Sequence, residues 1–268
     1  MTSITLGSFA LPLSPIILLF SLIVGLIVVA LLGKKQSISV GDSLINIVIY
    51  SLIVGRVVFV IRFFESYDSV WQILDIRDRG FDAFSSVISG VIFLIIQLKR
   101  KPEQRSILIS GAATTLILFT VTQAVINAGN EQSALPNLSF STPEGVDVNL
   151  HHVANQNITV VNLWASWCGP CRREMPVLSA AEKRFPQVKF IMLNQREPAS
   201  TVTEFLADIN QSFNYVLLDT KGDVATMMGA HGLPMTLFYD EHGTMVSSHF
   251  GELSAASLQA AIENLTEQ

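Results

Sequence analysis

The chain has 268 residues, of which 50% are hydrophobic and 15% charged, with a formal net charge of −5. This composition is too apolar for an average soluble protein. Residues 1–132 carry 10 Lys+Arg against 8 Asp+Glu, a net of +2, whereas residues 133–268 carry 7 against 14, a net of −7. The acidic C-terminal half argues against nucleic acid as a partner. Length and the uneven composition predict two domains, 1–132 in a membrane and 133–268 in water.

Four apolar runs in the N-terminal half predict about four transmembrane helices, so a lipid bilayer is an expected partner. They cover residues 16–33, 43–64, 83–98 and 106–126, and a bilayer core requires about 20 apolar residues. The first run has no basic residue before it and no small-residue cleavage site after it. We therefore predict an uncleaved helix and not a signal peptide.

The basic residues predict how these helices are oriented. They cluster after the first run and between the third and fourth: Lys34, Lys35, Lys99, Arg100, Lys101 and Arg105. Positive charge marks cytoplasmic loops. We therefore predict a multi-pass protein of a bacterial inner membrane, with its N-terminus outside and its C-terminal domain in the periplasm.

Arg56 interrupts the second apolar run. An arginine within a span is costly and often functional, so Arg56 is a candidate ligand for a lipid headgroup. The alternative, which we favour, is a simple anchor whose charges pair within the protein.

The surrounding stretch, "GRVVFVIRFFESYDSVWQILDIRDRGFDAF" (55–84), resembles a shortened piece of prolipoprotein diacylglyceryl transferase. The "GR…F" start, the tyrosine region and "ILDIRDRGF" carry the resemblance. The His-Gly-Gly signature that follows in that family is replaced here by "FDAFSSVISG", and four helices are predicted where the family has seven.

Both cysteines of the chain lie in "CGPC", between a β-branched run at 157–164 and a helical run at 172–184. Cys168 thus falls where a buried strand ends and a helix begins. Pro170 suits a first helical turn, and the positive end of the helix dipole favours a Cys168 thiolate, which is a nucleophile. Cys171, one turn later, is close enough to form a disulfide with it.

Three alternatives compete with redox exchange, and the weakest of them is two ordinary buried cysteines placed by chance. A zinc site needs four ligands, and only His151 and His152 are available to complete one. A structural disulfide across so short a loop constrains little chain entropy. We favour a redox-active disulfide, with no metal and no separate cofactor.

"WASWCGPCRREMP" (164–176) resembles the active site of the TlpA/ResA/DsbE branch of thioredoxin-fold oxidoreductases, and the resemblance runs from about residue 135 to residue 265. It implies an α/β domain with a central mixed sheet flanked by helices. "GLPMT" stands where that fold has its cis-proline loop, which implies a cis Pro234 beside Cys168. The substrate would then contact Trp167, Gly169, Pro170, Leu233 and Pro234.

The same resemblance bears on proton transfer. Asn162 stands where thioredoxin has a buried Asp, and it cannot take up a proton. Glu174 stands where the branch often carries an acidic residue, which implies that it tunes the thiols or exchanges a proton with Cys171. The alternative is a solvated helix glutamate paired with Arg172 or Arg173.

The predicted function is therefore a membrane-anchored protein-disulfide reductase that acts on periplasmic disulfide-containing proteins, with cytochrome c biogenesis as one candidate process. The Gly-Pro pair between the cysteines resembles that of reducing thioredoxin, whose potential is about −270 mV. A reductant in an oxidising compartment needs a membrane electron donor, of the DsbD/CcdA kind by resemblance. The alternatives are a transferase-related membrane protein with an appended redox module and a non-catalytic redox sensor or assembly factor.

Overall fold

A computed structural model of the chain describes residues 3–6, 9–36, 40–67, 69–129, 134–154, 156–230 and 232–266. The chain forms two compact units. The membrane unit comprises Leu11–Glu65 and Arg79–Gly129, and the redox unit contains Ser66–Asp78 together with the C-terminal half. The predicted boundary between residues 132 and 133 lies outside the described residues.

The N-terminal half is helical after a small two-stranded sheet of β1 (Ser3–Leu6) and β2 (Phe9–Pro12). Its helices are α1 (Leu13–Gln36), α2 (Gly41–Arg62), α3 (Val70–Leu74), α4 (Ala83–Arg100) and α5 (Arg105–Gly129). Short 3-10 turns occupy Phe64–Ser66, Ile76–Asp78 and Pro102–Gln104. Within the described ranges, α1, α2, α4 and α5 each carry a stretch long and apolar enough to cross a membrane, so the four predicted helices are confirmed.

Glycines let the membrane helices approach one another closely. A Cβ added to Gly25 of α1 would lie 2.0 Å from Thr115 Oγ1 of α5. A Cβ added to Gly55 of α2 would lie 1.9 Å from Ser86 Oγ of α4. Small residues at contact points are the usual means of packing helices in lipid, where burial from water supplies no driving force between them.

The C-terminal half alternates strands and helices. In chain order these are β3 (Ser139–Ser141), β4 (Asp147–Asn149), α6 (Leu150–Ala154), β5 (Thr159–Trp164), α7 (Gly169–Arg184), β6 (Lys189–Gln195), α8 (Ala199–Asp208), β7 (Tyr215–Asp219), α9 (Asp223–Met227), β8 (Met235–Tyr239), β9 (Met245–Phe250) and α10 (Ala255–Thr266). The strands form one sheet in the order β4-β3-β7-β6-β5-β8-β9. Strands β5, β6 and β7 are parallel and the other pairs antiparallel, so the expected mixed sheet with flanking helices is confirmed.

Strand β5 lies between β6 and β8, and all six of its residues are buried. Because side chains alternate across a sheet, Val160 packs into one hydrophobic cluster and Val161 into another. The Val160 cluster also contains Cys168 and Cys171. The strand predicted from its β-branched residues thus ends with its last residue, Trp164, inside the core that holds the cysteines.

Within the redox unit, the segment Ser66–Asp78 is hydrogen-bonded to the residues around α10. Ser254 Oγ donates to Asp78 Oδ2 at 3.0 Å, and Ser257 Oγ donates to the Asp78 carbonyl at 2.8 Å. Ser66 Oγ donates to Gln259 Oε1 at 2.8 Å. The connection between α2 and α4 is thereby part of the unit that contains the cysteines.

Candidate redox site

The two cysteines lie at the start of α7 and are joined by a disulfide, with Cα atoms 5.2 Å apart. Cys168 is the residue that caps the helix: its Sγ accepts a hydrogen bond from the Cys171 backbone N–H at 3.2 Å. Pro170 occupies the first turn, where its missing N–H leaves no helical bond unmade. The sequence prediction for this junction is confirmed, because the strand ends at Trp164 and the helix begins at Gly169.

Glu174, three residues after Cys171 on α7, is completely buried. Its Oε1 accepts a hydrogen bond from Asn162 Nδ2 at 2.9 Å, and its Oε2 accepts one from the Leu253 backbone N–H at 3.1 Å. Burial raises the pKa of this carboxyl to about 8, and the nearby charge of Glu252 also raises the pKa, while the two donors act in the opposite direction. At neutral pH the side chain therefore holds a proton.

This burial rules out the alternative of a solvated helix glutamate paired with its arginine neighbours. Arg173 forms an ion pair with Glu252 instead. The Arg172 guanidinium lies over the Phe205 ring, 4.9 Å from its centroid, and donates to the Ser166 carbonyl at 3.3 Å. Both arginines are thus engaged away from the Glu174 carboxyl.

A second carboxylate, that of Glu197, fixes the segment that leads into Cys168. Its Oε2 accepts hydrogen bonds from the Ser166 backbone N–H and from Asn194 Nδ2, each at 2.7 Å. Its Oε1 accepts one from the Ser166 hydroxyl. Glu197 is 8% exposed, so the hydrogen bonds from these three donors replace most of those that its carboxylate would form with water.

Sequence reasoning missed Glu197 and the Leu253 amide. A signal for Glu197 existed, because it follows β6, which is parallel to β5, and the carboxyl ends of parallel strands lie at one edge of the sheet. No signal existed for Leu253, whose contribution is a backbone N–H that any residue except proline would carry.

The remaining predicted contact residues lie next to the cysteines in sequence or in the loop before β8. The Leu233–Pro234 peptide bond is cis, as expected. Leu233 is partly buried against the cluster that contains both cysteines. Trp167 is 72% exposed just before Cys168, which leaves its ring free of the core. Trp164, in contrast, is fully buried.

Arg56 lies outside this constellation, in the membrane unit. Its Nη1 donates to the Gly80 carbonyl at 2.8 Å, and its guanidinium lies 6.0 Å and 5.9 Å from the ring centroids of Phe59 and Phe81. These contacts engage the Arg56 guanidinium within the membrane unit.

The zinc alternative concerns Cys168, Cys171, His151 and His152. Within the part of the chain that the structure describes, no three His, Cys, Asp or Glu side chains form a group that could hold a metal ion. His151 and His152 are exposed on α6, and both cysteines are engaged in the disulfide.

Comparison with known proteins gives different matches for the two halves. Residues 2–132 match the model of the prolipoprotein diacylglyceryl transferase family, and residues 129–262 match the Redoxin model. The thiol-disulfide oxidoreductase ResA of Halalkalibacterium halodurans is 28% identical over 147 residues, which are 54% of this chain and 81% of that protein. A thiol:disulfide interchange protein, a DsbE homolog of Paracoccus denitrificans, is 30% identical over 111 residues, 41% of this chain and 60% of its own length.

Two solved structures resemble the C-terminal half. StoA from Bacillus subtilis matches with a TM-score of 0.42 and 24% identity, over 48% of this chain and 99% of its own. The MTB dsbF structure matches with a TM-score of 0.45 and 26% identity, over 49% of this chain and 98% of its own. Because the Redoxin model spans half of the chain and includes the cysteine pair, the chain belongs to the redoxin family, with a membrane half similar to prolipoprotein diacylglyceryl transferase.

Proposed function

We propose that this protein is a membrane-anchored thiol-disulfide oxidoreductase that reduces disulfides in periplasmic proteins. The observation that carries the proposal is the Cys168–Cys171 disulfide at the first turn of α7, with the buried carboxyl of Glu174 one turn further on. The known relatives named above are thiol-disulfide exchange proteins, which supports the same reaction class.

The reaction starts from the reduced dithiol. The Cys168 thiolate attacks one sulfur of a substrate disulfide, and the other substrate sulfur leaves as a thiolate that takes up a proton. Cys171, once deprotonated, attacks Cys168 Sγ and releases the second substrate thiol. Two electrons pass to the substrate and the enzyme returns to the disulfide form.

Glu174 serves the second step as the group that takes up the proton of Cys171, through the minor fraction of its carboxyl that is ionised below a pKa of about 8. It lies one helical turn from Cys171 on the same face of α7, and both side chains are fully buried. A carboxyl with a pKa of about 8 has nearly the same proton affinity as an ordinary thiol of about 8.5, so transfer between them costs little free energy.

Substrate contacts are proposed for the exposed Trp167 and for Gly169, Pro170, Leu233 and Pro234. Trp167 offers a large ring next to the attacking sulfur. Leu233 precedes strand β8, and its backbone would pair with an extended substrate segment, as edge-pairing peptides do with other proteins.

The membrane topology is proposed from charge and supported by contacts. The positive-inside pattern orients α2 outward and α4 inward, so the connection between them lies on the side opposite to the cytoplasm. Asp78 in this connection is hydrogen-bonded to Ser254 and Ser257, which are in the redox unit. Both segments must then be on one side of the bilayer, as in the proposed topology. We also propose that the boundary between the two domains lies between residues 132 and 133.

The electrons must come from a second protein. The sequence has two cysteines, and both are in the site, so its membrane half has no thiol to carry electrons across the bilayer. We assign this role to a membrane donor of the DsbD/CcdA type. The membrane half itself is assigned as an anchor, since Arg56 is engaged with Gly80 and two aromatic rings; lipid binding by Arg56 and transferase chemistry are the lesser candidates.

Reduction of insulin by the full-length protein in detergent, with dithiothreitol present, tests the activity. The proposal predicts turnover for the native chain and none for Cys168→Ser. Retention of activity by Cys168→Ser would refute it. Persistence of the cellular function in a Cys168→Ser/Cys171→Ser double variant would instead favour a non-catalytic sensor or assembly factor.

The substrate can be identified by trapping. In Cys171→Ser the second step is blocked, and substrates stay attached to Cys168 as mixed disulfides. Mass spectrometry of the attached proteins distinguishes an apocytochrome c from other periplasmic clients, and it shows on which side of the membrane the site operates.

A further inference from the structure

The segment between α2 and α4 carries apolar side chains that are exposed on the surface of the redox unit. Four of its side chains are largely exposed: Val70 (68%), Trp71 (80%), Leu74 (65%) and Ile76 (62%). We call these four residues the α3 patch, because α3 spans Val70–Leu74 and Ile76 follows it directly. Contiguous apolar surface of this kind marks a contact with a partner or a membrane.

The two ends of the same segment are polar and already engaged. Asp78 accepts hydrogen bonds from Ser254 and Ser257, and Ser66 donates to Gln259. The ends are thus held by the residues around α10, whereas the four side chains of the α3 patch between them are largely exposed.

Chain connectivity determines what can reach the α3 patch. Helix α2, a candidate membrane span, ends at Arg62, and α4, another candidate span, begins at Ala83. Val70 is eight residues from the first and Ile76 seven from the second, so the patch lies within about 25–30 Å of both membrane exits even with the chain fully extended. Folding of α3 shortens that reach further, because a helical residue advances only about 1.5 Å.

The composition of the α3 patch fits the boundary between lipid headgroups and acyl chains. Tryptophan is enriched there because its ring is apolar and its indole N–H needs a polar partner. Branched aliphatic side chains beside it enter the outer part of the acyl region.

We propose that the α3 patch inserts into the lipid interface. The segment from Ser66 to Asp78 then has its two ends on the residues around α10 and its α3 patch in lipid. This inference does not depend on the redox reaction, since it follows from the exposed side chains and from the two spans that flank them.

Quenching by brominated lipid tests the proposal on the full-length protein. The chain has three tryptophans, Trp71, Trp164 and Trp167. The protein is reconstituted into nanodiscs of phosphatidylcholine or of the same lipid brominated on its acyl chains, and tryptophan emission is compared. We expect bromine to quench the native protein and to lose most of this effect in Trp71→Phe.

Trp167→Phe is the matched control, because Trp167 is similarly exposed but lies beside Cys168 in the redox site. It should keep the bromine quenching seen in the native protein. The proposal is overturned if Trp71→Phe retains the native bromine quenching. It is also overturned if Trp71→Phe instead loses the part of the native emission that acrylamide quenches from the aqueous phase. Insulin reduction by Trp71→Phe should equal that of the native chain, which shows that the variant is folded.

Discussion

The two units satisfy their polar side chains in different ways. Inside the membrane spans, several hydroxyl groups bond to the backbone of their own helix. Ser89 Oγ donates to the Ser85 carbonyl at 2.7 Å, and Thr115 Oγ1 donates to the Gly111 carbonyl at 3.0 Å, each one turn earlier. Such bonds need neither water nor a neighbouring helix, which suits a segment surrounded by lipid.

In the redox unit, the buried carboxyl groups of Glu174 and Glu197 bond to groups on other elements. Glu174 on α7 is held by Asn162 on β5 and by Leu253 just before α10. Glu197 is held by Asn194 and by Ser166 in the turn before Cys168. Each carboxyl group therefore fixes the relative position of separate elements. This difference between the two units shows that the polar groups able to take part in chemistry are concentrated in the redox unit.

The largest difference between substitutions in the two units is expected for enzymatic activity. Cys168→Ser should abolish insulin reduction, because a hydroxyl cannot form the mixed disulfide, whereas Thr115→Val in the membrane unit should leave the rate unchanged. The comparison would fail if the membrane substitution also abolished the rate in protein that is still folded and reconstituted.

Glu174 should give the redox unit a marked pH dependence in its oxidised form, where the disulfide-bonded cysteines do not titrate. The folded pKa of about 8 lies above the ordinary value of 4.5, so the folded state binds more protons than the unfolded state between these values. The free energy of unfolding therefore falls as pH rises from about 4.5 to 8, by up to about 1.4 kcal/mol per pH unit.

Glu174→Gln should lack this slope. Denaturant unfolding followed by the fluorescence of the buried Trp164 measures it across pH 5 to 8. Parallel pH profiles for the native protein and Glu174→Gln would show that the carboxyl does not hold a proton in the folded state.

Glu197→Gln should lower the free energy of unfolding by about 1–3 kcal/mol, because one amide oxygen cannot accept from all three donors. The same unfolding measurement, made at pH 6, reports the loss. Glu182→Gln serves as a control, since that side chain is partly exposed and accepts a long bond from the Asn214 N–H at 3.2 Å. Equal losses for the two variants would contradict an anchoring role for Glu197.

Thr115→Val should have the smallest effect on stability, about 0.6 kcal/mol, a typical contribution of a side-chain hydrogen bond within a membrane protein. The Gly111 carbonyl keeps its place in the helix when the hydroxyl is removed. Thermal denaturation of the full chain in detergent measures the change. A loss larger than that of Glu197→Gln would reverse the contrast between the units.

Much of this architecture could be predicted from local sequence pattern. The four apolar runs identified the membrane helices because hydrophobic length is itself the physical requirement. The β-branched run before "CGPC" identified β5, and Pro170 indicated the start of α7, because both signals lie within a few residues of the structure they determine.

What remained hidden depends on contacts between distant residues. Whether Glu174 was solvated or buried could not be decided from its neighbours on α7, because Asn162 and the Leu253 amide come from 12 positions earlier and 79 positions later. The hydrogen bond between Ser254 and Asp78 spans 176 positions, and no sequence pattern near either residue predicts it. Sequence pattern shows which side chains share an element, and only the folded chain shows which elements meet.

The sulfur of Cys168 also caps the N-terminus of α7, since it accepts a hydrogen bond from the Cys171 N–H. A thiolate is a stronger acceptor than a disulfide sulfur, because it carries the full negative charge that a helix N-terminus attracts. In the proposed reaction, the tip of α7 therefore gains and loses this charge in each turnover. We expect the first turn of α7 to be more stable in the reduced enzyme than in the disulfide form.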